Sequence, residues 1–133
     1  MTHRFTLPLF VTLKRKTKKD VRLSVNLNTF RSMHYRTYTE AKIEYARVMS
    51  EQLNKFDPIM GKMHIHYDYY AAMNNNPDLD NFVGAAKKYF QDAMVKSGFI
   101  EDDNVNFIVS NSEKYCGIDG KNPRIEVAIK AVE

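Results

Sequence analysis

The sequence predicts an α+β fold: a mixed sheet with two main helices packed against it, in the order β-β-α-β-α-β-β. Three observations carry that prediction. Met63 to Tyr70 alternates apolar and polar residues with a period of two, two long segments repeat apolar residues at helical spacing, and strand-like runs flank both. The 133 residues suit one domain, 1–133, with 44% hydrophobic and 27% charged residues as in globular rather than disordered chains. No apolar run approaches the roughly 20 residues that cross a bilayer, so no membrane partner is expected. Met1 to Thr12 has no secretory layout, and the single Cys116 cannot form an intramolecular disulfide. A cytoplasmic setting is the expectation.

Taken in order, Phe5 to Leu13 ("FTLPLFVTL") reads as a strand in which Pro8 removes one ladder donor, implying an edge or a bulge. "KRKTKKD" and the short run "VRLSVN" follow, a hairpin with a basic tip. "LNTFRSMHYR" is a loop by composition. "TYTE" then offers Thr37 as N-cap with Glu40 three residues on, and Tyr38, Ala41, Tyr45, Val48, Met49, Gln52 and Leu53 continue at helical spacing to the Asp57–Pro58 break. In the alternating strand, Met63, Ile65, Tyr67 and Tyr69 share one face, and His64, His66, Asp68 and Tyr70 the other. "MNNNP" is a loop, with Pro77 biasing Asn76 away from helix. A second helix starts near Asp78 or Asp80, is striped by Phe82, Ala86, Tyr89, Phe90, Ala93 and Met94, and has Gly98 as its C′ residue. "NVNFIVSN" and "RIEVAIKAV" are two last strands, separated by the turn signals of "GIDGKNP".

The net charge of +4 is unevenly spread. Residues 1–60 hold 12 Lys or Arg against 5 Asp or Glu, whereas residues 61–133 hold 8 against 11. A basic half joined to an acidic half suits a surface that grips a polyanion beside a site that needs carboxylates. Asp78 and Asp80 stand in "NNNPDLDNF", and Asp102 and Asp103 in "GFIEDDN". Each pair has an ordinary structural account, as helix caps or turn residues. Two carboxylates at i and i+2 exceed what one cap uses, however, and repel unless a cation lies between them. Mg²⁺ takes one or two such hard oxygen donors plus waters and phosphate oxygens, which is what phosphodiester hydrolysis requires.

The stretch "DLDNFVGAAKKYFQDAMVKSGFIEDDNV" resembles the RusA-like Holliday junction resolvases, whose core reads D-x-D-N, a lysine, an Asp-Ala-Leu-like segment, a Gly-aromatic turn and D-D. The "FTLP" and "RIEVAI" strands fit the same pattern. The resemblance implies a RusA-like fold and a Mg²⁺-dependent endonuclease, with Mn²⁺ a possible substitute, that acts as a homodimer on branched DNA in recombination and repair. It also implies metal ligation by Asp78, Asp80 and Asp103, with Asp102 beside them. Phage or prophage origin fits the family's usual company.

One departure stands out. The family's lysine, four residues after the second Asp of DxD, is here Gly84; aligning on Asp-Ala-Met gives that role to Lys88, with Lys87 as the neighbour. A four-residue insertion is close to one helical turn, and leaves Lys88 about 12 Å along the axis from Asp80. A straight helix from Asp80 to Ser97 is about 27 Å long, while the steps from Gly98 to Asp103 return at most about 17 Å. The expectation is therefore that a partner's Asp103 completes each metal site. Lys14, Arg15, Lys16, Lys18, Lys19 and Arg22 form a basic arm for phosphate contact, joined by Arg31 and Arg36 before the first long helix. His64 and His66 share a face but lack further zinc ligands nearby. The principal rival is a non-catalytic DNA-binding protein that keeps the fold.

Overall fold

Pro8 divides the first predicted strand in two. In the computed structural model, which describes residues 2–75 and 77–132, β1 (Thr2–Leu7) and β2 (Phe10–Leu13) belong to different sheets. β2 pairs antiparallel with β3 (Val21–Ser24), Phe10 opposite Ser24 and Leu13 opposite Val21, which is the predicted hairpin with residues 14–20 at its tip. β1 instead joins a four-stranded mixed sheet of order β1-β6-β4-β5. There β4 (Met63–Ala71) and β5 (Ile108–Ile118) are parallel, joined through helix α3 (Leu79–Lys96), while β6 (Arg124–Ala131) runs antiparallel to both β1 and β4. Parallel neighbours need such a crossover, which a short hairpin cannot supply.

The composition-based loop "LNTFRSMHYR" contains a short helix, α1 (Leu27–Ser32), because the Asn26 side chain accepts the Thr29 N–H at 2.8 Å and caps it. The second correction concerns α2 (Tyr35–Leu53): its N-cap is His34, not Thr37. The His34 ring accepts the Arg36 N–H at 3.1 Å, and the Tyr38 N–H already reaches the His34 carbonyl at 3.0 Å. Thr37 thus lies inside the first turn, and Glu40 turns outward to Arg15. β5 also starts later than expected. Asn104 to Phe107 form a turn, the Phe107 and Ile108 N–H groups both donating to the Asn104 carbonyl, and the strand then runs on to Ile118. Asn76 lies outside the described residues.

At the far end of α3 the prediction holds. Gly98 takes φ +77°, the Phe99 N–H returns to Met94 O at 2.9 Å and the Gly98 N–H to Val95 O at 3.1 Å, closing the helix in a Schellman motif. Both long helices cover one face of the sheet. Met63, Ile65, Tyr67, Tyr69 and the buried residues of β6 meet Tyr45 and Met49 of α2 and Tyr89, Phe90 and Met94 of α3. The Tyr45 and Tyr89 hydroxyls are satisfied within this core by the Pro8 and Tyr38 carbonyls at 3.2 and 2.9 Å. The opposite face, with His64, His66, Asp68 and Tyr70, carries no helix. On the outer side of β1, the Gln52 amide exchanges two 2.8 Å hydrogen bonds with the Thr6 backbone, as a neighbouring strand would. Among the described residues, no helix is long and apolar enough to cross a membrane.

A candidate metal and nucleic-acid site

The chain enters α3 through Asp78, whose backbone is extended (φ −103°, ψ 116°) and whose side chain accepts the Asn81 N–H at 3.2 Å. The capping account of Asp78 is therefore correct, and one of its oxygens remains for other work. Asp80 lies in the first turn, exposed, where the helix dipole favours negative charge. Asn81, the Asn of DxDN, accepts the Asn28 N–H at 3.1 Å and so moors α1 beside the two carboxylates. Asn28 and Asn81 were not expected to meet; the only signal was the Asn in each segment.

The same docking explains Gly84. A Cβ there would stand 3.3 Å from Leu27 Cδ1 of α1, so the position facing α1 has little room for a side chain. A side chain at this point would require the Leu27 methyl to give way by a few tenths of an ångström. Lys87 and Lys88 are the nearest cations further along. Seven residues after Asp80, Lys87 lies about 20° from it around the helix and about 10 Å along it, while Lys88 is about 80° away. Lys87 Nζ holds Glu113 Oε1 of β5 at 2.7 Å over the Tyr67 ring, whereas Lys88 is exposed. Of the two, Lys87 shares the face of Asp80.

Asp102 and Asp103 sit elsewhere. Asp102 accepts the Asp103 N–H at 2.7 Å and the Asn104 amide at 3.0 Å, organising the turn, and Asp103 is exposed beside it. This loop is fastened to the start of β4, with the Ile59 N–H on Phe99 O and the Met63 N–H on Phe107 O. Asp78 and Asp80 follow the end of β4. One chain therefore separates the two acidic pairs by roughly the 27 Å length of α3. Among the described residues, no three His, Cys, Asp or Glu side chains gather as a metal-holding group. Asp78 and Asp80, exposed and adjacent, still match the one or two carboxylates that Mg²⁺ takes alongside water and phosphate.

The basic arm divides into two groups. Lys14 pairs with Asp20 at 2.9 Å, Arg15 grips Glu40 through two nitrogens at 2.7 and 3.2 Å, and Arg22 lies 3.9 Å over the Phe10 ring. These three brace the hairpin against itself and α2, and Glu40 raises the Arg15 pKa further through that hydrogen bond. Lys16, Lys18 and Lys19 have no such partner among the described residues and project at the tip. Arg31 ends α1 and Arg36 begins α2, both exposed. The base of the hairpin reaches the acidic end of the molecule: Phe10 and Ser24 line a small apolar cleft with Met73, Asn75 and Phe82.

On the uncovered sheet face the histidines are occupied. His64 meets Ser110, and the His66 ring bridges Ser112 at 2.6 Å and Asp68 at 2.7 Å. A zinc pair would have to break these bonds. Burial, with Asp68 alongside, pushes the Cys116 thiol up, away from nucleophilic chemistry.

No curated protein matches the chain significantly. The family of endodeoxyribonuclease RusA matches residues 12–130, from the basic hairpin through both acidic pairs to the last strand. The chain belongs to the RusA endodeoxyribonuclease family.

Proposed function

We propose that this protein is a Mg²⁺-dependent, structure-specific DNA endonuclease that resolves four-way (Holliday) junctions by paired phosphodiester cleavage, acting as a homodimer with metal sites shared between subunits. Family membership supports nuclease chemistry. The observation that carries the reading is the pair of exposed carboxylates, Asp78 and Asp80, at the start of α3, beside an α1 that carries Arg31 and is moored there by the Asn28–Asn81 hydrogen bond.

Asp78 and Asp80 hold the cation, and the partner's Asp103 completes the set. Bound Mg²⁺, or Mn²⁺ in its place, supplies charge neutralisation at the scissile phosphate and lowers the pKa of attacking water. The chain's own residues do the rest. Lys87, released from Glu113 by an incoming phosphate, balances charge that develops on the phosphoryl oxygens. Lys16, Lys18, Lys19, Arg31 and Arg36 hold the backbone by sequence-independent contacts. Two symmetric subunits present two such sites to a two-fold substrate.

The test is cleavage of a synthetic four-way junction with Mg²⁺, comparing the native chain with Asp80→Asn. The native chain nicks opposed strands and Asp80→Asn does not. Binding without cleavage by either protein would instead favour a DNA-binding protein that has lost its chemistry, the reading that Gly84 in place of the family lysine recommends. Site sharing has its own readout. Asp80→Asn and Asp103→Asn are each inactive alone, and mixing them restores cleavage because half of the shared sites in a mixed dimer are intact. No recovery on mixing, with subunit exchange demonstrated, would refute sharing.

A further inference from the structure

We propose that the apolar cleft beside Asp78 takes one unstacked nucleobase of the DNA, and that the basic groove adjoining it, through Arg22 and Lys121, holds a neighbouring phosphate of the same strand. The inference deepens the nuclease reading above and rests on its choice of DNA as substrate. All of its residues belong to one subunit.

Phe82 fixes where the cleft lies. Its N–H donates to the Asp78 carbonyl at 3.2 Å, so Phe82 stands one turn into α3, about 6 Å along the axis from Asp78. A nucleotide whose phosphate meets a cation at Asp78 therefore has its base beside Phe82. The Phe82 ring is half-buried and stacks on Tyr69, with centroids 5.3 Å apart and planes 24° from parallel. Phe10 and Met73 are further apolar walls, and Met73 is 59% exposed. Ser24 and Asn75 add polar groups suited to the hydrogen-bonding edge of a base. The cleft holds about 130 Å³, well under the roughly 300–1,000 Å³ of a site for a drug-sized molecule, which leaves room for one ring system. Aromatic walls of this kind favour a base that has left its stack. Extrusion costs least where a base has already lost a stacking or pairing neighbour, as at a branch point.

Leu9 and Phe10 line both this cleft and a larger groove of about 500 Å³, which runs between the hairpin and the turn from β5 to β6. Arg22, Lys121 and Arg124 line the groove, and no Asp or Glu does so among the described residues. Arg124 is occupied by Asp119 and Glu126, at 2.9 and 3.2 Å. Arg22 keeps its charge, because the Phe10 ring 3.9 Å below it carries none. Lys121 is exposed and makes no ion pair among the described residues. A cationic groove that opens onto aromatic walls suits an unpaired strand, with charge for the backbone and rings for the bases. An apolar peptide would leave those cations without a counter-charge.

The experiment measures binding of the full chain to a synthetic four-way junction by fluorescence anisotropy, without metal so that no strand is cut. Single abasic sites are moved stepwise along the strand on both sides of the branch point. One position should weaken native binding about 5- to 150-fold, the scale of one base–aromatic stack. Phe82→Ala and Met73→Ala should weaken binding of the intact junction but add no further loss at that position, where the base they contact is absent. Met73 is exposed, so Met73→Ala keeps the test decisive if Phe82→Ala fails to fold. Losses that multiply at every abasic position would overturn the base site, as would a scan with no sensitive position. Lys121→Ala should reduce the slope of log affinity against log salt by about 0.7, the value for one single-strand phosphate contact. An unchanged slope would overturn the groove. Coupling at one position, with no cleavage when Mg²⁺ is added, would sink the nuclease reading and leave the base site standing. Cleavage with no coupled position would do the reverse.

Discussion

Asp78 has two assignments that substitution can separate. As the N-cap of α3 it accepts one hydrogen bond, from the Asn81 N–H at 3.2 Å; as a ligand it contributes charge. Asn caps helices about as well as Asp, so Asp78→Asn keeps the cap and loses the charge. Removing one exposed acidic group from a helix start costs about 0.3–1 kcal/mol. Asp78→Ala loses both. Cap deletions cost about 0.5–2 kcal/mol, and this long, exposed bond puts the expectation near the middle, about 1 kcal/mol. In a chain of this size that shifts Tm by roughly 3–5 °C. The expected pattern is a slightly lowered melting curve for Asp78→Asn, a more strongly lowered one for Asp78→Ala, and loss of junction cleavage in both. Differential scanning calorimetry and a Mg²⁺-dependent cleavage assay provide the two readouts. An active Asp78→Asn would show that the carboxylate is only a cap, and an unshifted Asp78→Ala would show that the cap carries no stability.

The other expectations are simpler. Lys87→Met should lower the single-turnover cleavage rate by about 10²-fold, the scale of losing one charge stabiliser, while Lys88→Met stays close to the native rate. Replacing Lys16, Lys18 and Lys19 by alanine should reduce the slope of log affinity against log salt by about 2–3, at roughly 0.9 per phosphate contact, measured by fluorescence anisotropy. Gly98→Ala meets no atom within 4 Å but must adopt φ +77°, so its cost is conformational, about 1 kcal/mol in chemical denaturation.

Periodic features were legible in the sequence. The alternation of β4, the stripe of α3 and the glycine that ends it each follow from local chemistry repeated over many residues, and each lies where expected. The failures occurred at element boundaries, where one local signal outranked another. Thr37 lost the cap of α2 to His34, and Pro8 divided a run of strand-forming residues between two sheets. The site was legible as residue types but not as an arrangement. Asp78 and Asp80 could be read from two letters, whereas the mooring of Asn28 by Asn81 and the fit of Leu27 over Gly84 join segments more than fifty residues apart. No local pattern encodes such contacts. The length of α3 was the exception, because helix rise alone separates the two acidic pairs.

The Gln52 clamp on β1 has a consequence for how many copies can associate. A sheet with two open margins can add molecules at both and grow without limit, as fibres do. With the Thr6 backbone already hydrogen-bonded to a glutamine side chain, part of the β1 margin is closed to a further strand. Strand addition at that margin must displace the glutamine first, which weighs against open-ended growth of the sheet on its β1 side.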